Sequence, residues 1–136
     1  MDANLPATDI PPTGLRFDKP WGYETLWALT DRYAGKLLHI RQGHSLSLQY
    51  HQQKDEWQHV FSGFVRLEFG DRAKLTERLL GPGEGLHVPA GTVHRVHAVT
   101  DAVVLEVSTP ELDDVVRIED RYGRAKVSGL ATTNAG

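Results

Sequence analysis

The chain has 136 residues, 40% apolar and 24% charged, which is typical of one soluble globular domain with its own core. Its formal net charge of −3 argues against a nucleic-acid binder, and no run of about 18 apolar residues exists to span a membrane. The absence of cysteine excludes disulfides and thiolate metal sites, and the N-terminus shows no secretory signal, so the sequence predicts a cytoplasmic protein.

Three segments are predicted along the chain. Residues 1–15 contain Pro6, Pro11 and Pro12 without any hydrophobic periodicity, and they are predicted to form a flexible N-terminal arm. Residues 16–125 carry the β-prone segments and are predicted to form the domain. Residues 126–136 end in small and polar side chains and are predicted to form a flexible tail.

Short β-prone segments separated by turn signals make up the predicted domain. Pro20 confines residues 17–27 to a turn or an edge strand, and residues 111–115 are compatible with a single helical turn. The other predicted strands lie within residues 33–41, 43–63, 64–69, 75–80, 85–88, 93–99, 103–109 and 115–119. With no helix of ten or more residues, this spacing predicts an all-β sandwich or barrel.

Four polar side chains are predicted to meet at one point. Gln49 and His51 are two residues apart in a strand and therefore leave it on the same face. Glu56 opens the next strand after a polar break, and His94 follows a Pro-Ala-Gly turn. One amide oxygen, one carboxylate and two imidazoles suit a divalent cation such as zinc, manganese or iron. The alternative is a polar barrel mouth without a metal.

The spacing of these residues resembles two motifs of the cupin family. Residues 43–63 fit the first motif, with Gln49 in the place of its first histidine, and residues 83–94 fit the second. The asparagine that usually ends the second motif is replaced by Ala98. This resemblance implies an all-β, double-stranded β-helix, the cupin jelly-roll barrel.

Within the cupins, residues 16–125 resemble the mannose-6-phosphate isomerase group. The resemblance lies in Lys19-Pro20-Trp21-Gly22 and in residues 46–49, 88–95 and 116–124. It implies an aldose–ketose isomerase acting on a sugar phosphate, with mannose 6-phosphate as the expected substrate. The alternatives are a non-catalytic sugar-binding module and a metal-dependent oxygenase.

Catalytic and substrate-binding roles are predicted for four residues. Glu56 and Lys36 are the candidate bases that transfer a proton between neighbouring carbons. Arg95 and Arg124 are the candidates for holding the phosphate, because a guanidinium gives bidentate contacts to its oxygens. The alternative for each arginine is a surface ion pair with Glu119 or Asp120.

A homodimer is predicted from the strand that carries the metal ligands. If this strand is regular, Leu46, Leu48 and Tyr50 face away from Gln49 and His51 and form an apolar outer face. Such a face requires cover, either by a second subunit or by the N-terminal arm of the same chain.

Overall fold

In a computed structural model that describes residues 10–127, eleven strands form two antiparallel sheets. The strands are β1 (Leu15–Lys19), β2 (Gly22–Leu29), β3 (Ala34–Ile40), β4 (Leu48–Tyr50), β5 (Glu56–Ser62), β6 (Val65–Gly70), β7 (Leu75–Leu80), β8 (Gly85–Val88), β9 (Val93–Ala98), β10 (Ala102–Ser108) and β11 (Val116–Glu119). A short 3₁₀ helix follows at Arg124–Val127. The all-β prediction is therefore confirmed.

The two sheets have different strand orders and pack face to face. The six-stranded sheet runs β1-β2-β3-β10-β5-β8, and the five-stranded sheet runs β11-β4-β9-β6-β7. The main core lies between them, because Leu38 and Val104 from the first sheet pack in one cluster with Leu67 and Val96 from the second. None of the described helices is long and apolar enough to cross a membrane.

The first two strands form a hairpin whose turn points a tryptophan into the core. Lys19 and Gly22 are paired, so Pro20 and Trp21 form the turn, and Trp21 is completely buried. Gly22 lies at φ +152°, and a Cβ at this position would lie 1.9 Å from the carbonyl oxygen of His39. Only glycine fits there, and it allows β2 to lie directly against β3.

Strand β4, which carries Gln49, is shorter than expected. Regular pairing begins at Leu48, and Leu46 lies in an irregular segment before it, where its side chain belongs to the main core. The prediction that Leu46 contributes to an outer face is wrong, since the alternation of a regular strand does not extend back to it. Residues 111–115 form hydrogen-bonded turns and not a helical turn.

The predicted arm and tail are described only in part, since residues 1–9 and 128–136 lie outside the described residues. Within the arm, Ile10 and Leu15 pack on a second, smaller core cluster that contains Leu26 and Leu112. Leu15 also begins β1. The last part of the predicted arm therefore contributes to the sandwich.

Candidate metal centre

Three strands position the predicted ligands inside the sandwich. Gln49 on β4 lies directly opposite His94 on β9, and His51 follows the end of β4. Glu56 begins β5 in the other sheet. All four residues are at most 2% exposed. The structure thus brings together the four residues that the sequence predicts as ligands.

The carboxylate of Glu56 lies between the two imidazole rings. Its Oε1 is 3.1 Å from Nε2 of His51 and 3.0 Å from Nε2 of His94. The candidate donor atoms of these three residues all lie within 4.8 Å of one another. Donor atoms at these separations surround a common point, as a mononuclear site requires.

Backbone carbonyls fix the tautomers of both histidines. Nδ1 of His51 is 2.5 Å from the carbonyl oxygen of Asp114, and Nδ1 of His94 is 2.9 Å from that of Thr92. A carbonyl oxygen only accepts hydrogen bonds, so each Nδ1 carries the proton and donates it. A ring that carries a second proton donates it from Nε2 to Glu56, and a neutral ring presents the lone pair of Nε2 to a cation, as metal-binding histidines commonly do.

The side chain of Gln49 leaves one acceptor without a partner. Its Nε2 donates to Oγ of Ser47 at 3.0 Å, which orients the amide. Its Oε1 is buried and has no hydrogen-bond partner. Such an acceptor is costly unless a donor or a cation satisfies it, so the residues present fit a divalent cation.

The electrostatics keep Glu56 charged. Burial raises the pKa of Glu56, but the ammonium of Lys54 and the hydrogen bonds from His51 and His94 outweigh burial and hold the pKa well below its usual range. Burial lowers the pKa of His51, and this effect prevails. Burial also opposes protonation of His94, but Glu56 raises the pKa of that ring overall. A carboxylate whose pKa is held low, beside imidazole nitrogens, is a suitable ligand set for a cation.

A buried ion pair borders the donors. Nζ of Lys54 lies 3.1 Å from Oε2 of Glu106 and 3.6 Å from Oε2 of Glu56. Burial, followed by the charge of Glu56, raises the pKa of Glu106 to about 7. Glu106 lines the same narrow cavity as the four ligands. The sequence alone did not single out this pair, because the contact joins residues about fifty positions apart.

The loop between β4 and β5 is fixed by one distant carboxylate. Asp114 accepts hydrogen bonds from the backbone N–H groups of Gln52, Gln53 and Lys54, at 2.9, 2.7 and 2.8 Å. Its backbone carbonyl also orients His51. Asp114 therefore positions the residues on both sides of this loop.

Replacing Asp114 with alanine is expected to lower the free energy of unfolding by about 2 kcal/mol near neutral pH, because three backbone donors lose a charged acceptor. Burial raises the pKa of Asp114, but the three backbone N–H groups outweigh it and lower the pKa. Because the pKa of Asp114 is lower in the folded state, its carboxylate contributes stability at pH values above the unfolded-state pKa of about 3.9. This contribution is lost as the pH falls through the folded-state pKa. Urea unfolding should therefore show a smaller loss in the free energy of unfolding of Asp114→Ala at pH 3 than at pH 7. The control, Asp18→Ala, alters a side chain that is 82% exposed and should leave the free energy of unfolding unchanged at both pH values.

The other predicted site residues lie apart from the four ligands. Lys36 is buried on β3, opposite Glu106, with its Nζ 3.4 Å from Glu24. Arg95 follows His94 in β9, so its side chain leaves the opposite face of the sheet and pairs with Glu68 and Glu119. Arg124 pairs with Asp120. Catalysis by Glu56 or Lys36 and phosphate binding by Arg95 or Arg124 stay predictions.

Comparison with known proteins agrees with this fold. Residues 13–120 match the family model described as mannose-6-phosphate isomerase C-terminal. The chain belongs to this family. Mannose-1-phosphate guanylyltransferase ManC of Salmonella typhimurium is 36% identical over 112 residues, which cover 78% of this chain and 22% of ManC. The chain thus spans less than a quarter of the length of that relative.

Solved structures with a similar fold include a protein described as a cupin. KdgF from Halomonas sp. has a TM-score of 0.65 at 21% identity, with 74% of this chain and 92% of KdgF covered. A cupin superfamily protein from Desulfitobacterium hafniense has a TM-score of 0.56 at 21% identity, with 63% of this chain and 74% of that chain covered. The predicted cupin jelly-roll barrel and the predicted family are therefore confirmed.

Proposed function

We propose that this cupin domain binds one divalent cation through Gln49, His51, Glu56 and His94 and isomerises a sugar phosphate, with mannose 6-phosphate as the substrate. One observation carries the proposal: Glu56 Oε1 lies within 3.1 Å of both Nε2 atoms, beside the unsatisfied Oε1 of Gln49. The family match supports the choice of substrate class.

The reaction requires proton transfer beside the cation. Isomerisation moves one proton from C2 to C1 of the sugar and another from O2 to O1. A bound divalent cation supplies Lewis-acid polarisation of the two sugar oxygens. We assign the transfer of the proton between C2 and C1 to the carboxyl group of Glu106. This group lines the ligand cavity, and Nζ of Lys54 orients it from 3.1 Å. We do not assign this role to Glu56, because both histidines contact its carboxylate, or to Lys36, because its ammonium pairs with Glu24.

The proposal is tested by incubating the metal-loaded protein with mannose 6-phosphate and measuring the appearance of fructose 6-phosphate. We expect interconversion that depends on the cation and falls at least 100-fold in Glu106→Gln, as is typical for loss of a general acid–base. Glu77→Gln, on the outer surface of β7 with a 62% exposed side chain, is the matched control and should retain full activity. Metal-loaded protein without interconversion would contradict the proposal.

A non-catalytic sugar-binding module is the second candidate, and the shape of the cavity favours it. The space enclosed by the ligands, Gln58 and Glu106 is too narrow for a water-sized sphere, so a substrate requires the cavity to open. Saturable binding of mannose 6-phosphate to the metal-loaded protein without turnover would support this candidate over the isomerase.

We also propose that the protein is a cytoplasmic homodimer, formed through the outer surface of the six-stranded sheet. Trp27, Trp57 and Val107 are 43%, 44% and 42% exposed there, and Val107 lies directly opposite Trp57 and Gly35. The indole of Trp27 lies over Gly35, where a Cβ would come within 2.5 Å of it, so the ring packs against β3. An exposed apolar surface with a tryptophan on each side of Val107 is suited to burial against the same surface of a second copy.

Substituting glutamate for Trp57 is expected to convert the dimer into a monomer, because it places a charge in the apolar centre of the interface. Light scattering coupled to size-exclusion chromatography measures the mass. Leu79→Glu, at a 62% exposed position of β7 in the other sheet, is the control and should leave the mass unchanged. A wild-type protein that is monomeric at all concentrations contradicts this proposal.

A further inference from the structure

Three side chains form a stack on the outer surface of the six-stranded sheet. Cζ of Arg16 lies 3.7 Å from the centre of the Tyr23 ring, and the rings of Tyr23 and His39 lie 4.2 Å apart with their planes 11° from parallel. Because a ring has only two faces, Arg16 and His39 cover opposite faces of Tyr23. His39 lies between Leu38 and Ile40, which belong to the main core, so its side chain projects outwards. We call Arg16, Tyr23 and His39 the surface stack.

The surface stack ends at a hollow in the sheet. Val103 on β10 lies directly opposite His39, and Ser62 on β5 lies directly opposite Val103. Residues paired across neighbouring strands project from the same face, and the strands are about 4.8 Å apart. Two rings are therefore followed in the same row by two small side chains. Since one face of His39 lies against Tyr23, its other face is directed towards the space above Val103.

A cavity of about 420 Å³ occupies this hollow. It is lined by the surface stack, Val103 and Ser62, and by Arg41 and Asp101, which lie next to the ends of β3 and β10. Small-molecule sites typically enclose about 300 to 1,000 Å³ and combine aromatic or apolar walls with a few polar groups. The cavity has the size and the composition of such a site.

One guanidinium of this cavity is held in place by the backbone. Nη2 of Arg41 donates to the carbonyl oxygen of Pro20 at 2.9 Å. A guanidinium carries five N–H donors, so this one bond orients the group and still allows it to bind an anion. Arg16 pairs with Asp18 at 3.1 Å and covers Tyr23. Arg41 is therefore the better placed of the two arginines to bind an anion.

The face of His39 suits an aromatic ring. Burial, followed by the positive charge of Arg16, lowers the pKa of His39 below its ordinary value of about 6.5, so the ring is predominantly neutral at pH 7. Nucleic-acid bases stack on such rings because every base has a π face. Arg41 follows His39 by two residues, about 7 Å along an extended chain. A ligand that reaches both needs a spacer between its ring and its charge, as the ribose of a nucleotide provides.

We propose that this cavity binds a nucleotide, whose base stacks on His39 above Val103 while its phosphate contacts Arg41. The site is separate from the candidate metal centre, because Ser62 lies six residues after Glu56, about 20 Å along β5. The proposal therefore does not rest on the proposed function. The competing explanation is that the surface stack only stabilises the sheet.

Calorimetric titration with adenosine 5′-monophosphate, adenosine and ribose 5-phosphate tests the site. The nucleotide should bind at least about ten times more tightly than either of its parts, because each part makes only one of the two contacts. The affinity should be the same with and without added divalent metal. Binding that requires the metal would place the nucleotide at the metal centre and overturn the proposal, as would the absence of nucleotide binding.

Two variants of the row beside the hollow separate stacking from charge. His39→Ala should weaken binding of the nucleotide by about tenfold or more and leave ribose 5-phosphate binding unchanged. Val103→Trp should abolish nucleotide binding by filling the hollow. His87→Ala is the matched control, because His87 also stacks on an aromatic ring, Trp57 at 6.5 Å, but does not line this cavity. Its affinity for the nucleotide should be that of the wild type.

Asp101 provides a variant with an effect of opposite sign. Its Oδ1 accepts the backbone N–H of Gln42 at 2.7 Å, a bond that the side-chain oxygen of Asp101→Asn can keep. Removing a negative charge beside the phosphate should strengthen nucleotide binding by about two- to tenfold. If His39→Ala does not fold, Val103→Trp decides the test. Unchanged nucleotide affinity in the folded variants of His39 and Val103 would show that the surface stack only stabilises the sheet.

Discussion

Replacing His51 with alanine is expected to abolish stoichiometric metal binding. The substitution removes one of the two Nε2 donors that lie about 3 Å from Glu56 Oε1, and the remaining donors then hold a divalent cation weakly. Elemental analysis of protein equilibrated with zinc or manganese should find about one ion per wild-type chain and less than about a tenth of this in the variant. His94→Ala should give the same result.

A histidine outside the centre provides the control for this experiment. His87→Ala should bind the metal as the wild type does, since His87 is about half exposed and pairs with Asp55 at 2.6 Å. The cation should also stabilise the wild type by about 2.7 kcal/mol when its concentration is 100 times the dissociation constant, and this gain should disappear in His51→Ala. Full metal occupancy in both His51→Ala and His94→Ala would show that the cation binds elsewhere.

Replacing Trp21 with alanine is expected to lower the free energy of unfolding by about 3 to 5 kcal/mol, because the largest side chain of the main core is removed. Trp21 is fully buried at the turn between β1 and β2, so the surrounding side chains cannot collapse into the space without moving the hairpin. Urea unfolding followed by circular dichroism measures the loss.

An exposed aromatic residue is the matched control for Trp21. Phe61 is 71% exposed on β5, and Phe61→Ala should change the free energy of unfolding by less than about 1 kcal/mol. Equal losses in the two variants would mean that Trp21 contributes no more to the core than a surface residue does.

Local patterns in the sequence were sufficient to predict most strands. Residues 75–80 and 85–88 match β7 and β8 because glycine-containing turns bound these segments. The grouping of the candidate metal ligands was also predictable, since the spacing of Gln49, His51 and Glu56 lies within a single strand–loop–strand segment. Only the position of His94 required a second motif, and its register against Gln49 followed from the fold.

The remaining features depend on contacts between distant residues. Asp114 fixes a loop about sixty positions earlier in the chain, and Glu106 reaches Lys54 only because β10 lies beside β5. Leu46 was misplaced because the strand alternation was extended into an irregular segment. None of these contacts has a local signal, so sequence periodicity alone does not predict them.

The candidate metal ligands belong to both sheets, so a bound cation would affect how the protein unfolds. Glu56 lies in the six-stranded sheet, while Gln49 and His94 lie in the five-stranded sheet. A cation bound by all three would act as a non-covalent cross-link between the layers, comparable to a bridge that closes a long loop. Its loss would then have to precede separation of the layers, so metal loading should slow unfolding far more than it accelerates folding.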